Sequence, residues 1–351
     1  MLTRYSVLAW LFVTPVLWAQ DAPIADPPPV LGPTDVIGRF PRSPLSGRAV
    51  LSSTRTEILR EQNGSSVTVI SGEQLRGSGR PLLQDALRGT PGLDVVRSGS
   101  PGQQTSVFIR GAESRHTKVL LDGIPLNDPS SPSRAFDFSS LTVDNIERVE
   151  VIRGPQSTLY GSDAIGGVIN IVTRRGQGRP KYRFRTLGGR YGSFQQSASV
   201  SGGTDRVYYS VGGSFFENDG FTTAAPRLGN VENDGFRNGN LSGRFGWLLN
   251  ETTDVDLVLR YTDAEAQIDG FLFPTGPVDD LQRKLKNETF ALRTQLRTEM
   301  FDGSIEQKVG FNYSRFNRRD TDPGAFGAAA FDGETVKFDW QANTVLYESV
   351  R

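Results

Sequence analysis

The sequence predicts a mainly β protein, with an α+β domain followed by a long series of antiparallel strands. Three observations carry this. Residues 149–174 read as strand, glycine-punctuated turn and second strand: Val149, Val151 and the run 168–171 suit a pleated surface, while Gly154-Pro155, Gly161, Gly166 and Gly167 suit the turn. From Lys181 onward, segments of about ten residues alternate apolar and polar side chains between loops rich in Gly, Asp and Asn. Glycine and phenylalanine are plentiful and methionine is nearly absent, a mix that favours sheet and turns over helix bundles.

Composition excludes several functions. There is no cysteine, so disulfides, thiolate metal sites and cysteine nucleophiles are ruled out, and the single histidine, His116, argues against an imidazole metal centre or a catalytic triad. No group of residues offers nucleophile, base and oxyanion donors together, so an enzyme is not expected. Charge balances to zero, and nucleic acid is not an expected partner.

Residues 1–19 carry Arg4 and then an apolar run, with small Ala19 before a polar, proline-rich stretch. This reads as a secretory signal peptide, too short to span a bilayer. No other segment is apolar enough for a transmembrane helix, so any membrane embedding must use strands. Residues 20–46 are a proline-rich linker.

Residues 55–176 form the first folded domain. A short strand is expected at 67–70, a polar turn after Ser71-Gly72-Glu73, and a short helix at 81–87 with Leu82, Leu83, Ala86 and Leu87 on one side. Further strands are expected at 93–96, 107–110 and 118–121, with Asp122-Gly123 as a tight turn.

The wording of this domain resembles the plug of TonB-dependent outer-membrane receptors. Arg153-Gly154-Pro155, the run Tyr160-Gly161-Ser162-Asp163-Ala164-Ile165-Gly166-Gly167 and Asn170-Ile171-Val172-Thr173 stand in the family's order, as do Phe108-Ile109-Arg110-Gly111 and Val119-Leu120-Leu121-Asp122-Gly123. The resemblance implies that residues 177–351 begin a transmembrane β-barrel. Alternation supports this: Leu241, Phe245 and Trp247 oppose Ser242 and Arg244, and Val255, Leu257, Leu259 and Tyr261 oppose Asp254, Asp256 and Arg260. A soluble β-sandwich would show the same period; the signal peptide and the plug favour lipid outside and a wet lumen. Roughly eight such strands precede residue 351, whereas plugged transporters have about 22 and a barrel of about eight is filled by its own side chains. The chain is therefore expected to be the N-terminal portion of a longer receptor.

The resemblance also assigns residues. Gly47, Arg48, Ala49, Val50, Leu51, Ser52, Ser53 and Thr54 stand at the TonB box, which adds as a strand to a periplasmic energy transducer of the TonB type. The family often has an acidic residue and threonine where Gly47 and Arg48 stand, and a continued linker is the plainer reading. Arg110 and Arg153 stand where the family pairs plug arginines with barrel glutamates, which here would lie beyond Arg351; alternatively both cap strand ends inside the plug. Loops 97–106 and 127–136 are expected to face outward, either toward a ligand or as plain solvated loops.

Gly102-Gln103, Ser106-Val107-Phe108-Ile109-Arg110-Gly111 and residues 161–167 read much as in cobalamin (vitamin B12) receptors, to which the likeness within the family is strongest. Carried over by position, the ligand contacts are Gln104, Ser106, Glu113, Ser131 and Pro132, although the loop at Ser131 is one residue longer than the pattern. No cofactor is required, but a structural calcium is implied. The pentapeptide Glu-Asn-Asp-Gly-Phe occurs at 217–221 and 232–236, a turn signal in itself. Transfer gives Asn230, Glu232, Asp234 and Asp269, with Asp280 or Asp279 completing the set. Thr222 replaces a family aspartate.

The expected activity is TonB-driven import of a scarce large nutrient, a corrinoid first and a ferric siderophore second, across the outer membrane in contact with its lipid. A non-transporting adhesin or phage-binding barrel would leave the plug and its pulling segment unexplained.

Overall fold

The computed structural model describes residues 49–50, 58–59, 64–228, 230–272, 274, 276–280, 282–322 and 327–344. The signal-peptide and linker segments, and most of 47–54, lie outside the described residues. Of that last segment only the backbone of Ala49–Val50 (β1) is described, and it pairs antiparallel with Ile58–Leu59 (β2).

The first domain continues with β3 (Ser66–Ser71), α1 (Gly72–Gly77), α2 (Leu83–Leu87), β4 (Leu93–Arg97), β5 (Thr105–Ile109), β6 (Thr117–Leu121), β7 (Ile124–Pro125), β8 (Ile146–Arg153), α3 (Ser157–Tyr160) and β9 (Gly167–Thr173). Its main sheet has the order β3-β8-β9-β6-β7, with β6 and β9 parallel and the other pairs antiparallel. A separate hairpin pairs β4 with β5.

Three expectations are corrected here. The polar turn after Ser71 is a helix, started by a capping box in which Ser71 Oγ accepts from Gln74 N (3.1 Å) and Gln74 Oε1 accepts from Ser71 N (2.9 Å). The strand expected at 107–110 ends at Ile109, because Arg110 turns to φ 52°. The turn between β8 and β9 holds α3 and a further single 3-10 turn. β9 is buried on both faces, which explains its nearly unbroken apolar run. One core cluster joins Leu83, Ile109, Val149 and Ile171 of this domain to Val258 and Ala291 of the strands that follow.

Those strands are β10 (Lys181–Gly188), β11 (Phe194–Gly203), β12 (Val207–Asn218), β13 (Phe236–Leu248), β14 (Thr253–Gln267), β15 (Gly270–Leu272), β16 (Gly276–Val278), β17 (Lys284–Met300), β18 (Ile305–Asp320) and β19 (Ala329–Thr344). β10–β14 and β17–β19 form an eight-stranded antiparallel meander, with each neighbour in sequence a neighbour in space. The small hairpin β15–β16 sits in the connection between β14 and β17.

The alternation has the polarity of a barrel and not of a sandwich. Trp247 (59% exposed) and Phe338 (76%) point outward, whereas Ser242, Arg244, Asp256 and Arg260 are buried against the first domain. Connections at one end are short (204–206, 249–252, 301–304), whereas the other end carries two long ones (219–235, 268–283) beside 189–193 and 321–328. No helix among the described residues is long and apolar enough to cross a membrane.

One ion network fastens the first domain to this wall. Arg244 on β13 donates through Nη1 to Asp122 Oδ1 (2.8 Å) and to the Thr173 carbonyl (3.1 Å), and through Nε and Nη2 to Asp256 (3.2 and 2.5 Å). Asp122, in the turn after β6, also accepts from the Thr173 hydroxyl (2.6 Å), and Arg175 reaches Asp256 at 3.4 Å. The side chains of Arg244 and Asp122 are each 5% exposed, so water screens this pair little. Asn145 adds hydrogen bonds to Ser210 and Ser242 on the wall.

Arg244→Met should leave two buried carboxylates short of a cation and cost about 3–5 kcal/mol in urea unfolding of the full-length protein. Adding Asp122→Asn in that background should recover part of the loss, because one uncompensated charge is then gone.

Candidate functional site

The two copies of the repeated pentapeptide do different things. In the first, Asn218 Oδ1 accepts from Gly220 N (2.8 Å) and Asp219 N donates to the Tyr191 carbonyl (2.8 Å), which makes an ordinary turn. In the second, Glu232 and Asp234 meet Asp269 from the next long loop, with one carboxylate oxygen of each lying within 4.8 Å of the others.

Thr223 braces this group. Its N–H donates to Asp234 Oδ2 (3.1 Å), and its hydroxyl lies 3.0 Å from that oxygen and 2.6 Å from Asp269 Oδ2. Three buried oxygens of the group have no hydrogen-bond partner among the described residues: Glu232 Oε1, Asp234 Oδ1 and Asp269 Oδ1. Burial, followed by the charges of Asp279, Asp234, Asp269 and Asp280, pushes the Glu232 carboxyl up. Burial and then Asp269 push Asp234 up to about 6. An oxygen-only set with unpartnered buried carboxylate atoms fits a hard divalent cation, which takes about 6–8 oxygens when it is calcium.

The other residues expected here have different roles. Asn230 Oδ1 accepts from Asp279 N (3.1 Å), tying the two loops together. Asp279 Oδ2 accepts from the N–H groups of Val231 (2.6 Å) and Glu232 (3.1 Å), and Thr222 Oγ1 lies 3.4 Å from Asp279 Oδ1. Asp280 is turned into its own bend, where Oδ1 accepts from Gln282 N and Arg283 N (3.0 and 3.1 Å). The structure thus groups Glu232, Asp234 and Asp269, keeps Asn230 and Asp279 as braces, and leaves Asp280 outside the group.

Loops 97–106 and 127–136 lie at the same end as the long connections: Ser100 Oγ donates to the Asp234 carbonyl (3.2 Å), and Asp128 lies 3.8 Å from Arg318 near the end of β18. Both spring from one anchor, since Asp137 Oδ1 accepts from Thr105 N and Ser139 N (each 2.9 Å). Gln104 is exposed just before β5, and Ser106 sits on β5 opposite Val96. Ser131 and exposed Pro132 lie in the second loop, where Ser131 Oγ is 3.2 Å from Ser133 Oγ. Glu113 stands apart, beyond the far end of β5, exposed and paired with Arg115 at 2.6 Å.

Arg153 makes its contacts within the first domain. Its guanidinium donates to the Pro91 carbonyl (2.7 Å), to Ser66 Oγ (3.2 Å) and to Thr68 Oγ1. Burial and the neighbouring charge of Arg110 lower its pKa. Arg110 itself is exposed, and its N–H donates to the Gly92 carbonyl (2.9 Å). Sequence reasoning missed Ser100, Thr223 and the Arg244 network. Asp122 was visible only as a turn residue, and Arg244 and Asp256 only as members of a polar face.

Comparison with known proteins now fits this geometry. The family described as TonB-dependent Receptor Plug Domain matches residues 60–168. The first domain is thus similar to the plug of TonB-dependent receptors, and the strand wall that follows it has the polarity of a barrel. The chain is 34% identical over 208 residues to the vitamin B12 transporter BtuB of Photobacterium profundum, covering 58% of this chain and 33% of that protein. Among solved structures it resembles the siderophore receptor PirA of Acinetobacter baumannii, with TM-score 0.63 and 22% identity over 81% of this chain and 46% of that one. It also resembles the ferripyoverdine receptor of Pseudomonas aeruginosa, with TM-score 0.65 and 17% identity over 84% and 41%. At these identities the two structures speak for the fold alone, and the chain spans about a third of the length of its curated relative.

Asp234, raised from 3.8 to about 6, gives the loops a definite pH response. The folded loop holds a proton that the unfolded chain has released, so its stability is greatest below the unfolded value and declines as pH rises through about 6. In metal-free buffer, hydrogen exchange over 220–235, corrected for its intrinsic pH dependence, should show protection falling from pH 4 to pH 7.

Proposed function

We propose that this chain is the plug and first barrel strands of an energised importer that takes up a scarce, large nutrient across the outer membrane, and that the nutrient is a corrinoid. The observation that carries the ligand class is the likeness to a vitamin B12 transporter, which runs through plug and strands alike. The polar, outward loop that holds Gln104 and Ser106 supports it, because a bulky polar ligand resting there meets hydrogen-bonding groups. A ferric siderophore is the second reading, since it too is a bulky polar ligand that the same outward loops could meet. Titrating the full-length receptor with cyanocobalamin and with ferric siderophores separates the two; tight binding of a siderophore and none of cyanocobalamin overturns the corrinoid reading.

Energy would enter through residues 47–54, to which a TonB-type periplasmic transducer adds as a strand. The extended backbone of Ala49–Val50, already paired with Ile58–Leu59, supports this use. Val50→Pro removes a backbone donor from the segment. Cells carrying it should lose ligand uptake while keeping surface binding; undiminished uptake would show that the segment is misassigned.

Calcium would bind at Glu232, Asp234 and Asp269. It would supply positive charge among carboxylates that otherwise repel, and so stabilise the closed loops. These residues must shed a proton to bind it, and Asp234 titrates near 6. Calcium affinity measured calorimetrically should therefore be about tenfold weaker at pH 5 than at pH 7. Chelation should weaken corrinoid binding, and Asp234→Ala should mimic it. Equal corrinoid affinity with and without calcium rejects the coupling.

A further inference from the structure

We infer that Ser100 is the positioning residue through which the carboxylate group sets the plug's outward loop; this rests on the calcium reading above. The loop 97–106 is docked onto the residues that surround the carboxylates. Ser100 is fully buried, and its hydroxyl donates to the carbonyl of Asp234, a member of the group, at 3.2 Å. On either side of it two glycines permit the close approach. A Cβ at Gly99 would fall 2.7 Å from Thr223 Cγ2, on the residue that bridges Asp234 and Asp269. Gly102, at φ 88°, lies where any Cβ would overlap the ring of Phe236. Phe236 ends the second pentapeptide and is held from behind by Phe216, ring centroids 5.9 Å apart.

The loop cannot move independently of that wall. Ser100 also accepts, through its carbonyl, from Gln103 N (3.3 Å), and the Gln104 carbonyl accepts from Ser98 N (3.0 Å), so displacing Ser100 displaces the start of β5. Gathering the three carboxylates around a cation fixes the Asp234 backbone. That fixes the Ser100 hydroxyl, and the loop presents Gln104 in one position. Without a cation the carboxylates push apart and the acceptor of Ser100 moves with them. The plug, and not only the barrel loops, therefore reports whether the cation is present.

The test uses the full-length receptor and three measurements: a calcium isotherm, cyanocobalamin affinity in saturating calcium and in chelator, and the mobility of a nitroxide on Pro101→Cys. In the parent protein calcium should immobilise the nitroxide and tighten cyanocobalamin binding. Ser100→Ala loses the hydrogen bond to Asp234 and a longer one accepted from Gln103 Nε2 (3.5 Å), and should cut the calcium-induced gain in affinity about fivefold. Its calcium affinity without ligand should stay within about twofold of the parent, because the hydroxyl touches no carboxylate oxygen. Linkage demands that the ligand's effect on calcium affinity shrink by the same factor. If calcium binds and Ser100→Ala keeps full coupling and full immobilisation, the relay is wrong while the calcium reading stands. If the parent binds no calcium, both fall. If cyanocobalamin does not bind, the nitroxide alone decides: immobilisation by calcium in the parent that is lost in Ser100→Ala supports the relay, and immobilisation in both overturns it. Should Ser100→Ala prove poorly folded, Phe236→Leu, which loosens the ring behind Gly102, must lower the coupling in the same way.

Discussion

The most deeply buried ion pair between the two parts of this chain is made by one guanidinium. Arg244 projects from β13 into the lumen and bridges Asp256 on the neighbouring strand to Asp122 at the tip of the plug sheet. Buried charges are costly unless each is matched, and here the fork of one arginine is shared between two carboxylates while Thr173 satisfies the remaining lone pairs of Asp122. The plug's apolar core then runs into the wall through Val258 and Ala291. That continuity requires a fixed depth of insertion, which the Arg244 contacts define.

The outward end depends on the same registration. Because Asp122 and Thr173 are held low on the wall, the loop before β5 reaches Thr223, Asp234 and Phe236 at a distance that admits a glycine and nothing larger. The carboxylate group and the plug loop thus form one assembly built from three segments: the loop after β12, the loop after β14 and residues 97–106.

The strands of the wall were legible in the sequence because period-two alternation is a local property, and Leu241 to Trp247 or Val255 to Tyr261 display it without reference to anything else. The plug strands were legible for a related reason, since β-branched runs between glycine turns leave few alternatives. What escaped was either ambiguous locally or decided at long range. Ser71 to Gln74 is both a turn composition and a capping box, and only the following helical bonds separate the two. Asp122 and Arg244 are far apart in sequence and meet only because β6 and β13 are stacked by the fold. Within the carboxylate group, Asp234 was marked by its repeat, but the choice between Asp279 and Asp280 turned on a backbone direction that neighbouring residues share out oppositely. Thr223 carried no pattern at all.

The position of β3 has a mechanical consequence. It is the first strand of the plug sheet and also an edge strand, bonded to β8 alone. Tension arriving along the backbone before Ser66 therefore loads one ladder from its end, with the Arg153 contacts to Ser66 and Thr68 as the first to be stretched. Those contacts meet the load before it passes through β8 to the remaining ladders. A pull on β3 would thus begin on the side of the sheet away from Asp122, which follows β6 and is held to the wall by Arg244.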